Sequence, residues 1–253
     1  MEQTMIETLP SKLKKEPIID ALFEMRFTSA TSASSIVPGF LFSRLQGEKT
    51  IERLPTDQIP KQLLDSDPNL RFAPLIRLHW GNFLISIGDR SLGVACKMPY
   101  PGWKTFKPGI LEVVTAMKEI GIIQAVDRFS MKYIDLIPAN SVAEQVSAIR
   151  GTVVLGNHTL KQENFALRID IPKDGMLHIV QINASATAKL QDGSTLEGVI
   201  VDTDSIINLE NLDFDAFLVR LPEQLESLHS ANKAMFFECI QPQTLTSLEP
   251  VYE

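Results

Sequence analysis

The chain has 253 residues, enough for one large domain or two small ones. Hydrophobic residues make up 44% and charged residues 22%, a balance that supports a substantial core and argues against extended disorder. The net charge of −7 argues against nucleic-acid binding, which needs clustered Lys and Arg to displace counterions.

The one compact basic run, Lys12, Lys14 and Lys15, reads as a solvated flank of the first strand. Over 17–28, Ile19, Ala21, Phe23, Met25 and Phe27 alternate with Asp20, Glu24 and Arg26, the period of a half-buried strand. A Ser/Thr/Ala-rich loop is expected over 28–36. A weak helix is expected over 40–54, interrupted by Gly47 and closed by Pro55 and Pro60. From 70 to 97 the pattern predicts three strands, with turns at Gly81-Asn82 and over Gly88 to Ser91. After a Pro/Gly loop around Tyr100 and Trp103, a helix is predicted over 108–121. Its apolar stripe is Ile110, Val113, Val114, Met117 and Ile120, with Pro108 in the first turn and Gly121 as the stop.

The same order then recurs. A strand is predicted over 129–137. A short helix is predicted over 141–150, with Ser141 and Glu144 in capping-box spacing. Three strands follow, turning at Pro172 to Gly175 and at Gln191 to Ser194. A long helical region begins near Asn211, with a kink or a break expected at Pro222. Phe23-Glu-Met-Arg-Phe27 also matches Phe129-Ser-Met-Lys-Tyr133, with aromatic, Met, base and aromatic in the same relative positions. The reading is an α+β protein of two similar halves, 1–125 and 126–253, in one compact pseudo-symmetric unit. Each half is strand, short helix, three-stranded antiparallel meander and longer helix, with the helices on one sheet face.

Candidate chemistry centres on the second meander. A tight turn at Asp192-Gly193 would set Asn183 opposite Asp202 and Gln181 opposite Asp204, with Arg168 and Asp170 on the same polar face. That face is either a binding surface, with Asp202 and Asp204 able to hold a divalent cation, or an ordinary solvated sheet face. His229 shares a helical face with Asn232 and Lys233. Tyr100, Trp103, Phe106 and Trp80 either line a pocket or anchor the core. Cys96 and Cys239 are far apart and the histidines are scattered, so neither a disulfide framework nor a structural zinc site is expected. No secretory leader or membrane-length apolar run is visible, and a cytoplasmic protein is expected. No phosphate-loop, dinucleotide, nucleophile-elbow or zincin motif occurs, and no cofactor is indicated. The edge strands of the two meanders admit a homodimer.

The stretches PIIDALFEMRF, ILEVVTAMKEIGI with VDRFSMKYIDLI, and LHSANKAMFFECI resemble a sporadically distributed family of uncharacterised prokaryotic proteins of similar length. The resemblance brings no established activity. It implies an accessory role of the kind found in bacterial defence or toxin–antitoxin systems. The resulting expectation is a non-enzymatic binding module for a protein partner or small ligand. The alternative is a small ligand- or nucleotide-processing enzyme acting on the polar sheet face with a divalent cation.

Overall fold

The computed structural model describes residues 9–189 and 195–252. Strand β1 (Lys12–Leu13) leads into the long strand β2 (Ile18–Ser29). Helix α1 (Ala33–Arg44), strand β3 (Lys49–Arg53), helix α2 (Lys61–Ser66) and the meander β4 (Ile76–Trp80), β5 (Phe83–Ile87), β6 (Ser91–Cys96) follow, then helix α3 (Trp103–Ile120). The second part runs β7 (Ile123–Pro138), α4 (Val142–Ala148), the small hairpin β8 (Val154–Leu155) and β9 (His158–Thr159), and the meander β10 (Ala166–Lys173), β11 (Met176–Lys189), β12 (Thr195–Asp213). It ends with α5 (Phe214–Cys239), α6 (Pro242–Ser247) and β13 (Pro250–Val251), which pairs with β1.

Nine strands form one antiparallel sheet in the order β10-β11-β12-β7-β2-β6-β5-β4-β3, so the molecule is mixed α+β. β2 and β7 sit side by side at its centre, with Phe23 opposite Met131, Met25 opposite Phe129 and Glu24 opposite Ser130. Outward from each, the last strand of its own meander comes first: β6, β5, β4 on one side and β12, β11, β10 on the other. Period-two alternation decides the faces. Phe23, Met25, Phe27, Phe129 and Met131 are buried beneath α1, α3 and α5, joined by Val37, Leu41, Ile110, Val113, Val114 and Phe217. A second cluster joins Val180, Ile182, Val199 and Val201 to Ala148, Met235 and Phe236. The opposite face carries Glu24, Arg26, Arg128, Lys132, Asp202 and Asp204 (the partners of adjacent strands), tied by pairs such as Arg26–Glu24 at 2.8 Å and Lys132–Asp202 at 2.8 Å.

Several local expectations are corrected. The helix expected over 40–54 starts earlier, at Ala33, because Asp89 from the β5–β6 turn supplies its N-terminal acceptor. Asp89 takes hydrogen bonds from the Ser32 and Ser34 hydroxyls at 2.5 and 2.7 Å. Residues 49–53 are an edge strand paired to β4, not helix. α3 starts at Trp103, five residues before the expected Pro108, because the Trp103 indole is anchored on Glu226 of α5 at 2.9 Å. α5 runs unbroken through Pro222, its apolar side buried on β7 and β12. The Ser141 cap forms, accepting from the Glu144 amide at 3.3 Å, while Glu144 reaches the Asn140 amide at 2.8 Å.

The register of the second meander also differs. Gln181 lies opposite Asp202, Ile179 opposite Asp204 and Asn183 opposite Ile200. Lys189 pairs with Thr195, one residue out from the expected hairpin, and a bulge at Ser185 (φ 56°) adds a second shift. Two one-residue shifts restore the faces, so the polar side is retained while every partner changes. The expected turn itself, Gln191 to Ser194, lies outside the described residues. At the other turn, positive φ at Asp174 and Gly175 closes β10 onto β11.

Candidate functional site

On the helix-covered side, a cavity of about 630 Å³ opens between the start of α3, the C-terminal half of α5 and the segment 11–18. That segment is held in place by the β1–β13 pair, with the Ser11 amide and hydroxyl both donating to the Val251 carbonyl. α5 is pinned onto the sheet by Asn232. Its Nδ2 lies 2.9 Å from the Met131 carbonyl, 2.8 Å from the Thr203 carbonyl and 3.0 Å from Ser205 Oγ. His229, one turn earlier on the same helical face, is thereby brought over β7.

The polar groups form a chain. Tyr100 and Tyr133 meet hydroxyl to hydroxyl at 3.1 Å, and the Tyr133 hydroxyl lies 3.2 Å from His229 Nδ1. The His229 ring stacks on Trp103 with centroids 4.1 Å apart and planes 11° from parallel. Trp103 and Lys107 both donate to Glu226, at 2.9 and 2.6 Å, which fixes the indole. Burial, with Lys233 nearby, pushes His229 down to about 4, so the imidazole is neutral near pH 7. Burial also pushes Tyr100 and Tyr133 well above the ordinary phenol range.

Deeper in, Asp135 follows Phe129, Met131 and Tyr133 on the inward face of β7 and is 3% exposed. Burial drives its carboxyl far above the usual range, and Glu16 and Asp202 push in the same direction. Glu16 is raised for the same reason, partly offset by Lys233. Lys233 donates to the Ser11 carbonyl at 3.2 Å, and burial lowers its pKa. The cavity therefore gathers two carboxyls, a neutral histidine, two phenols and one buried amine among the rings of Trp103, Phe236 and Phe237.

The scan of family models and the search of curated proteins return no match to this chain.

Of the residues singled out from sequence, His229 lies in this cavity, and Tyr100 and Trp103 line it with Asn232 and Lys233. Phe106 is fully buried core, and Trp80 donates to the Gln46 carbonyl away from the site. The polar-face candidates do not converge. Arg168 and Asp170 pair with each other at 3.1 Å on the exposed edge strand β10, about 10 Å across the sheet from β12. Asp202 is bound by Lys132 at 2.8 Å and by Gln181 at 3.2 Å, and Asn183 projects from β11 opposite Ala166 and Ile200. Burial raises Asp204, opposed by Ser130 and Arg128. Among the described residues no group of three or more His, Cys, Asp or Glu side chains is arranged to hold a metal. Among the described residues no helix is long and apolar enough to cross a membrane. Sequence reasoning missed Glu16, Tyr133 and Asp135. The signal for Asp135 was present: it falls in phase with the apolar face of its strand, where an acid is costly.

Proposed function

We propose that the protein is a non-enzymatic binding module that encloses a small ligand in the cavity between α3, α5 and residues 11–18. The observation that carries this reading is the convergence of Glu16, Asp135, His229, Asn232 and Lys233 in a 630 Å³ aromatic-walled space. His229, held near 4, and the burial-raised phenols are poorly matched to proton transfer at neutral pH, and an acid–base role would fall to the raised carboxyls of Asp135 and Glu16. The enzyme alternative would draw on Asp202 and Asp204, each with one buried carboxylate oxygen lacking a described partner, but Lys132 already occupies that face. Kinship with the sporadic prokaryotic family, and service as an accessory component of a bacterial defence or toxin–antitoxin system, belong to the same proposal.

The test is equilibration of the protein with a small-molecule extract, followed by native mass spectrometry. A retained adduct that is lost in Trp103→Ala supports the reading. A wild-type protein that retains nothing, with no change in Trp103 fluorescence, defeats it.

We also read the two halves as a tandem duplication. The support is the matching strand order on either side of β2 and β7, and a central register that sets Glu24 against its own counterpart in the motif alignment, Ser130. The cavity draws on both halves: residues 11–18 and the start of α3 from the first, β7 and α5 from the second.

A further inference from the structure

We propose that this cavity receives a small organic cation, seated with its charged nitrogen between the carboxyls of Glu16 and Asp135. The inference rests on the cavity being a ligand site and adds the chemistry of its occupant.

Asp135 carries the argument. It is 97% removed from solvent yet lines the cavity, and no described residue donates a hydrogen bond to its carboxyl or forms an ion pair with it. An unpartnered interior carboxyl is costly, and native structures supply partners to such groups. Among the described residues no cation pairs with Asp135. Lys233 interacts with Glu16 and donates to the Ser11 carbonyl at 3.2 Å, and Lys12 and Lys104 are exposed at the rim, where long side chains keep their ammonium groups in water. His229 stays neutral, held near 4 by burial. The cavity wall also supplies π faces from Tyr100, Trp103, Tyr133, Phe236 and Phe237. An ammonium between two carboxyls and against such rings gains both ion pairing and cation–π attraction. Burial lifts the Asp135 pKa in the empty cavity, and an arriving cation favours the ionised form, so binding drives a proton from that carboxyl toward solvent.

The measurement is calorimetric titration with three probes of one shape: 2-phenylethylamine, 2-phenylethanol and 3-phenylpropionate. The amine is expected to bind at least about tenfold more tightly than either of the others. Its binding should release protons, read as a buffer-dependent heat in phosphate against HEPES. Asp135→Asn, checked for fold by circular dichroism, is expected to weaken amine binding by about tenfold or more and to abolish the proton release. Alcohol or carboxylate binding equal to the amine, or unaltered amine binding by Asp135→Asn, overturns the proposal while leaving the cavity a ligand site. Absence of heat with all three probes also overturns it, and the extract experiment then decides the cavity reading separately.

Discussion

The imidazole of His229 lies flat against the indole of Trp103, 4.1 Å between ring centroids, and both rings are held by polar partners on their edges. Trp103→Ala removes the stack and admits water. The expected loss is about 2 kcal/mol of stability by urea unfolding. The His229 pKa should climb from about 4 toward 6.5, followed by imidazole NMR shifts. A histidine that still titrates near 4 in the variant would show that the indole is not what desolvates it.

The neutral His229 makes folding sensitive to acid. The folded imidazole resists protonation down to about 4, whereas the unfolded one takes a proton near 6.5. Between those values the unfolded chain binds more protons, so stability is lost as pH falls through that window, by roughly 3 kcal/mol in all. His229→Phe should flatten this limb in denaturation midpoints measured from pH 7 to pH 4, numbers set by the same two pKa values.

Asp135 acts with the opposite sign. Its folded pKa is raised, so the folded protein keeps a proton that the unfolded chain gives up near 3.8. The contribution is fully favourable below that value and declines as pH rises toward the folded one. Asp135→Asn preserves the shape without the ionisation and should raise Tm at neutral pH, with the gain shrinking on acidification. An unchanged or lowered Tm at neutral pH would show that the carboxyl carries no such burden.

The start of α1 depends on Asp89, which gathers the Ser32 hydroxyl and both the Ser34 hydroxyl and amide. Burial works to raise this carboxyl, but the two hydroxyls and Lys61 outweigh it and hold it below the usual range. Asp89→Ala should cost about 1 kcal/mol at neutral pH. Because the folded pKa is depressed, that difference should vanish as pH falls through it, a point checked by urea titrations of both proteins at two pH values.

Two glycines should respond in opposite directions to alanine. A Cβ on Gly198 would sit 2.1 Å from the Ile137 carbonyl oxygen, so the β12–β7 pairing must part, at an expected cost of about 3 kcal/mol. A Cβ on Gly39, within α1, meets nothing within 4 Å, and Gly39→Ala should stabilise by about 1 kcal/mol. Thermal melts of the two variants side by side suffice.

Much of the sheet was legible because alternation in β2, β5 and β11 is dictated by one wet face and one dry one. What escaped was set at a distance. α1 is capped by a residue 57 positions downstream. β3 has little apolar pattern of its own and becomes a strand only by pairing with β4. The meander register turned on a bulge at Ser185, whose amide is held by the Gln145 side chain from another element. For the site, His229 and its helical neighbours could be read from helix periodicity. Glu16 gave no local sign, since its place depends on a strand pair joining residues about 240 positions apart.

That β1–β13 pair has a bearing on synthesis. Residues 11–13 leave the ribosome well before their partners 250–251, so one wall of the cavity waits for the intervening chain before it can dock. A nascent chain can assemble the central strands and still lack that wall. Closure of the cavity thus reports that the two distant segments have met, not merely that a sheet has formed.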